Sequence, residues 1–105
     1  MTDTNNFLQK IKQTVLETEP SAIIYLYGSR ARGTMKSDSD WDLLILLNLE
    51  DVSYELERKI KFPLYDLEFD TGQIISPLVF TKNDWEKRHS ITPFYETVTR
   101  EGLLL

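Results

Sequence analysis

Two short motifs hold residue types that do chemistry together: Gly28-Ser29 and, after ten intervening residues, Asp40-Trp41-Asp42. A strand that ends in Gly-Ser and runs into a helix-permissive segment exposes backbone N–H groups and a hydroxyl at one point. Orphan amide donors and the helix dipole both suit phosphate oxygens there, and Gly28 lets a ligand approach the backbone without meeting a Cβ. Asp40 and Asp42 lie two apart at the start of an apolar run. Strand geometry puts both carboxylates on one face and turns Trp41 and Leu43 to the other. Adjacent like charges repel, and a divalent cation relieves that repulsion. Mg²⁺ favours hard oxygen ligands, commonly one or two carboxylates together with substrate phosphates.

Taken singly, each motif has a plainer reading. Gly-Ser is common in turns, and Asp-x-Asp at a strand start is also what a solvated acidic edge looks like. In combination they supply what nucleotidyl transfer needs: a turn for the triphosphate tail and carboxylates for the metal at the phosphorus under attack. Arg30, Arg32 and Lys36 lie between the motifs and either contact phosphates, with Arg30 the expected helper, or form a solvated basic loop balancing the acids. Asp38 adds a third acid in register with the pair, in the loop before the strand.

The elements that must position these residues follow from hydrophobic periodicity. Leu8, Ile11 and Val15, widened by Phe7 and Leu16, predict a helix over 3–19, capped by Asp3 or Thr4 and ended by Pro20. Ala22 to Tyr27 is nearly all apolar and reads as a strand covered on both faces. Trp41 to Leu49 is a second strand. Val52, Leu56, Ile60, Leu64 and Leu67 make a helical stripe over 51–71, with Pro63 inside it and Gly72 at its end. The competing reading makes 64–69 a strand. Gln73 to Phe80 is a third strand, in which Pro77 implies an edge or a bulge. Thr81 with Asp84 reads as a capping box opening a helix through Arg88. Thr92-Pro93 opens another helix, closed by Gly102. The order is that of an α/β or α+β domain with a small mixed sheet.

Bulk composition excludes several classes. The chain has 105 residues, 41% hydrophobic and 28% charged, which reads as a single domain over 1–105. A net charge of −5 argues against broad binding to nucleic acid or anionic lipid. No Cys is present, so there is no thiolate nucleophile, zinc–thiolate site or disulfide, and a single His rules out a His-pair metal motif. No apolar run nears the ~20 residues that cross a bilayer. The polar start Met1 to Asn6 carries no signal-peptide pattern, so the expected compartment is the cytoplasm.

The sixteen residues from Gly28 to Leu43 carry a family resemblance. Gly-Ser-Arg-Ala-Arg-Gly over 28–33, a polar loop, then Ser39-Asp40-Trp41-Asp42-Leu43 resembles the signature of the DNA polymerase β-like nucleotidyltransferase superfamily. The similarity is to its minimal nucleotidyltransferase branch, which includes the MNT antitoxins paired with HEPN-domain ribonuclease toxins. The resemblance implies a small mixed sheet flanked by helices. It implies Gly28 and Ser29 at the nucleotide phosphates, and Asp40 and Asp42 as catalytic carboxylates holding two Mg²⁺ ions. It implies transfer of a nucleoside monophosphate from an NTP, with ATP expected, to an acceptor hydroxyl. In the antitoxin branch that acceptor is a tyrosine of the HEPN-like partner, and a homo- or hetero-oligomer is expected. Members also carry a third carboxylate on a later strand. The run 73–80 has none; Ser76 and Pro77 stand about where it belongs, leaving Asp66 or Glu68 as the candidates. The alternative is an antitoxin that neutralises its partner by contact with impaired chemistry, or a nucleotide sensor.

Other conspicuous residues have structural expectations. His89 is expected to be solvated or capping, and Trp41 and Trp85 to pack in the interior. The charges from Glu55 to Lys61 read as a solvated helix face. Leu103-Leu104-Leu105 forms a final strand, packs on the core, or joins an apolar patch at an interface.

Overall fold

The computed structural model describes residues 2–34, 36 and 39–105; the expectation for Asp38 lies outside them. The first apolar stripe folds as α1 (Thr2–Thr18), which buries Phe7, Ile11 and Val15 and begins ahead of the expected caps Asp3 and Thr4. β1 (Ile23–Tyr27) leads through Gly28 into the single turn α2 (Ser29–Arg32), and β2 (Trp41–Leu47) follows the loop. The helical reading of the next segment is the one adopted. α3 (Tyr54–Thr71) runs unbroken past Pro63, with the Ser53 side chain accepting from Leu56 N at its start and Gly72 in the left-handed region at its end. β3 (Ile75–Thr81) begins two residues later and ends one residue later than the apolar run suggested. α4 (Lys82–Lys87) starts under the Thr81 cap, α5 (Pro93–Glu101) under the Thr92 cap, and β4 (Leu103–Leu104) ends the fold.

The four strands form one mixed sheet in the order β3-β2-β1-β4. β1 is antiparallel to both β2 and β4, and β2 is parallel to β3. Pro77 thus occupies an edge strand, where a missing N–H costs no ladder bond on the open side. The apolar C-terminus resolves by residue. Leu103 and Leu104 pair with Leu26 and Tyr25 yet stay exposed, while Leu105 packs on the core and donates its N–H to Ile24 O at 2.9 Å.

Strand alternation divides the interior in two. Trp41, Leu43, Ile45 and Leu47 face α1 and α3, joining Ile11, Ile60 and Leu64. Leu44 and Leu46 face the other way, onto Trp85 of α4 and Val98 of α5. Full burial of a Leu or Ile stabilises by about 1.5–3 kcal/mol, so a strand apolar on both faces anchors both layers. His89 departs from expectation: its ring lies against Phe80, centroids 4.5 Å apart, in an aromatic group with Trp85. Among the described residues no helix is long and apolar enough to cross a membrane.

Candidate active site

The site forms where β1 ends and β2 begins. Asp42 is paired in register with Tyr27 of β1 on one side and Ser76 of β3 on the other. Directly opposed residues of a sheet project to one face, so a tyrosine, an aspartate and a serine make a row across three strands. Asp40 stands just before β2 and accepts from Ser76 Oγ at 3.4 Å, which brings it into the same group. Asp42 is half-buried and Asp40 exposed.

Gly28 closes the row. Its φ of 78° and ψ of −158° belong to a region open to glycine alone, and a Cβ there would collide with Asp42 Oδ2. The Gly-Ser turn and the second carboxylate are therefore in direct apposition. Gly28 O accepts from Ala31 N and Arg32 N, both at 3.1 Å, which starts the α2 turn. Ser29 and its neighbours thereby present the first turn of a helix next to the carboxylates.

Electrostatics follow from this crowding. Partial burial raises the Asp42 carboxyl above its ordinary value, the Asp40 charge raises it further, and Arg32 offsets part of the effect. Burial, then the charge of Asp42, pushes the Tyr27 phenol up to about 12. Tyr27 is thus a neutral hydroxyl beside the acids at physiological pH, steadied by edge-on contact with Phe94 at 5.1 Å.

The loop cations part company. The guanidinium of Arg30 lies over the Trp41 ring, 4.1 Å from its centroid. It donates to Ser39 O at 3.0 and 3.2 Å and to Gln73 Oε1 at 3.4 Å. Gln73 Oε1 also accepts from Trp41 Nε1 at 2.9 Å. Arg30, expected to help hold phosphate, thus links α2 to Ser39, the residue before Asp40, and to Gln73. Arg32 is the cation whose charge reaches Asp42, and it also pairs with Glu101 at 3.4 Å.

The expected third acid is not supplied by α3. That helix packs against α1 on the face opposite Asp42. Glu68 Oε2 accepts from Ile75 N at 2.7 Å, tying down the start of β3, and Asp66 points to solvent. Neither joins Asp40 and Asp42. On β3 the Asp42 face carries Ser76, Leu78 and Phe80, with no acid. Among the described residues no group of three or more acids, His or Cys is placed to hold a metal. Two members of the row were not chosen as site residues from the sequence: Tyr27 only adjoins the turn, and Ser76, which stands about where the resemblance expects a third carboxylate, becomes a neighbour of Asp42 through strand register.

The fold and this turn–carboxylate arrangement define a nucleotide-transferring domain. Residues 8–97 match the nucleotidyltransferase domain family, and the chain belongs to that family. Its function is of the nucleotidyltransferase type. A comparison with curated proteins finds no match. Solved structures share the fold. One is a toxin–antitoxin crystal structure with AMP-PNP, 18% identical with a TM-score of 0.65, the match covering 91% of this chain and 69% of that one. A MntA-HpeT toxin–antitoxin mutant with a Tyr→Ala change is 21% identical, TM-score 0.61, covering 92% and 69%. A MntA-HpeT mutant with two Asp→Glu changes is 18% identical, TM-score 0.64, covering 91% and 69%.

Proposed function

We propose that residues 1–105 act as one minimal nucleotidyltransferase domain that moves a nucleoside monophosphate from an NTP, ATP first, to a protein hydroxyl. The observation that carries this reading is the apposition of Gly28 to the Asp42 carboxylate. It sets a phosphate-accepting turn against an acidic pair, and the two have little reason to meet in a purely structural turn. In the reaction the acceptor oxygen forms a bond to the α-phosphorus as its proton passes to water, and the bond from the α-phosphorus to the β,γ-pyrophosphate breaks, releasing pyrophosphate. The Gly28-Ser29 turn and the α2 amides hold the phosphate tail. Tyr27, neutral at physiological pH, stands beside Asp42 in the row.

The donor set fits Mg²⁺. Asp40 and Asp42 supply hard carboxylate oxygens, and Ser76 Oγ stands on Asp40. Burial and then the Asp40 charge raise the Asp42 carboxyl, and a cation lowers the cost of its charged form. When bound, the ion neutralises charge on the phosphates and orients them. The pair of ions implied by the resemblance would share Asp40 and Asp42.

The acceptor is taken to be a tyrosine of a helical, HEPN-like partner in the cytoplasm. The structures sharing the fold are described as toxin–antitoxin assemblies, one of them with a nucleotide analogue. The test is transfer of label from α-labelled NTPs, with Mg²⁺, to proteins of a cell lysate. A labelled protein band that disappears with Asp40→Asn or Asp42→Asn is expected. Equal labelling by both variants would overturn the assignment.

Ser76 in the row, where a carboxylate is expected, favours a second reading: a contact antitoxin or nucleotide sensor that binds without turnover. Mg²⁺-dependent nucleotide binding without transfer, with Ser76→Asp gaining transfer, would select the sensor. Neutralisation of the partner by a chain lacking both aspartates would select contact alone.

A further inference from the structure

The outward face of α3 repeats like a coiled-coil seam that has no cover. Glu55, Arg58, Phe62, Tyr65 and Phe69 follow one another at spacings of three and four, the a and d positions of a heptad. They point away from the buried side, which carries Ile60 and Leu64. Phe69 is 90% exposed and Phe62 49%, although both are aromatic. The seam is already ordered: Arg58 lies 4.9 Å over Phe62 and 5.4 Å over Tyr54, and Phe62 meets Tyr65 at 6.3 Å. An open groove of about 470 Å³, lined by Glu55, Arg58, Lys59, Phe62 and Pro63, runs beside it.

We propose that this face pairs with the same face of a second copy of the chain, α3 against α3, antiparallel about a two-fold axis. The charges choose both the occupant and the direction. A parallel pair would stack Glu55 on Glu55 and Arg58 on Arg58. An antiparallel pair puts Phe62 against Tyr65 and Arg58 against Phe69 of the second copy, joining two aromatics and a cation to a ring face. The flanking e positions are Lys59 and Asp66, both exposed. In antiparallel pairing e faces e, so Lys59 of each copy meets Asp66 of the other, twice by symmetry. After a first turn that holds Glu55 and Glu57, the helix is basic at Arg58, Lys59 and Lys61 and then acidic at Asp66, Glu68 and Asp70, so Arg58 and Lys59 meet opposite charge or a ring face when one copy is reversed. The seam lies on the sheet face opposite Asp42, so pairing leaves the acidic row open, whatever that row does.

Sedimentation velocity of the full chain across the micromolar range tests the pairing. A concentration-dependent monomer–dimer equilibrium is expected. Phe62→Glu is expected to leave a monomer with an unchanged circular-dichroism spectrum, because Phe62 is outside the core. Lys59→Glu and Asp66→Lys are each expected to weaken the dimer by roughly fivefold or more, two surface ion pairs being lost at once. The double variant Lys59→Glu/Asp66→Lys is expected to restore it. A wild-type chain that stays monomeric overturns the proposal, as does a Phe62→Glu chain that still dimerises. A double variant no tighter than its singles also overturns it, since Lys59 and Asp66 would then not face each other across the seam.

Discussion

Replacing Gly28 by alanine should cost more than its backbone conformation alone explains. The φ of 78° and ψ of −158° are strained for any residue with a Cβ, at about 1–3 kcal/mol. The new methyl would also collide with Asp42 Oδ2. The carboxylate must then leave its rotamer, adding about 0.5–1.5 kcal/mol. Gly33 is the internal control: its φ of 77° and ψ of 14° are left-handed, and a Cβ there meets nothing within 4 Å. Gly33→Ala should cost only the left-handed penalty, about 1–2 kcal/mol. At about 4–8 °C per kcal/mol for a domain near this size, Gly28→Ala should melt about 6–36 °C lower and Gly33→Ala about 4–16 °C lower. The double variant Gly28→Ala/Asp42→Ala should lose less than the sum of its singles, by about 0.5–1.5 kcal/mol, because the collision partner has gone. Gly28→Ala should also cut transfer about 100-fold, the scale of an ångström's misplacement of a reacting group. Thermal unfolding by circular dichroism and the labelled-nucleotide assay read both effects. Equal melting of the two alanine variants, with additive double-variant energies, would refute the claim that the turn and carboxylate are in contact.

Other outcomes follow from the same row. Asp42→Asn should abolish transfer and raise the melting temperature of the metal-free protein. The native state holds the Asp42 proton more tightly than the unfolded chain, so that residue's contribution falls as pH rises through the raised value. Melting curves from acid to neutral pH should show the variant's advantage growing with pH; a constant offset would sink the argument. At alkaline pH the sign is the same: with Tyr27 pushed from 10.0 to about 12, stability should drop through that window. Tyr27→Phe should remove that share of the drop, and absorbance titration should lose a late-ionising phenol. Ser76→Asp sets a third acid beside Asp42. It should lower metal-free stability and tighten Mg²⁺ binding roughly tenfold, since affinity at such sites is tuned by ligand charge; calorimetry showing unchanged affinity would remove Ser76 from the site.

Much of this protein is local, and local features are legible from the chain. Helical periodicity placed the stripe of Ile60 and Leu64 across Pro63, because a single proline costs less than a buried apolar face returns. Thr81 and Thr92 announced helix starts through caps that act within three residues. Gly28, Ser29, Asp40 and Asp42 stood out because their spacing fits one turn and one strand start.

The rest depends on which strand lies beside which, and no short-range rule carries that. Tyr27 and Ser76 flank Asp42 only through the antiparallel and parallel registers on its two sides. Asp66 and Glu68 looked available for catalysis from their type, yet α3 packs on the opposite side of the sheet, and Glu68 is engaged by Ile75 N–H. Arg30 and Arg32 are equivalent as charges two residues apart on one short helix. Trp41 captures the first and Asp42 feels the second, because alternation along β2 sends those two side chains to opposite faces. Residue types and spacing therefore determined the chemistry on offer, since turns, caps and strand alternation act over a few residues. Tertiary structure alone decided which side chains share the site, since sheet register and layer assignment come from contacts distant along the chain.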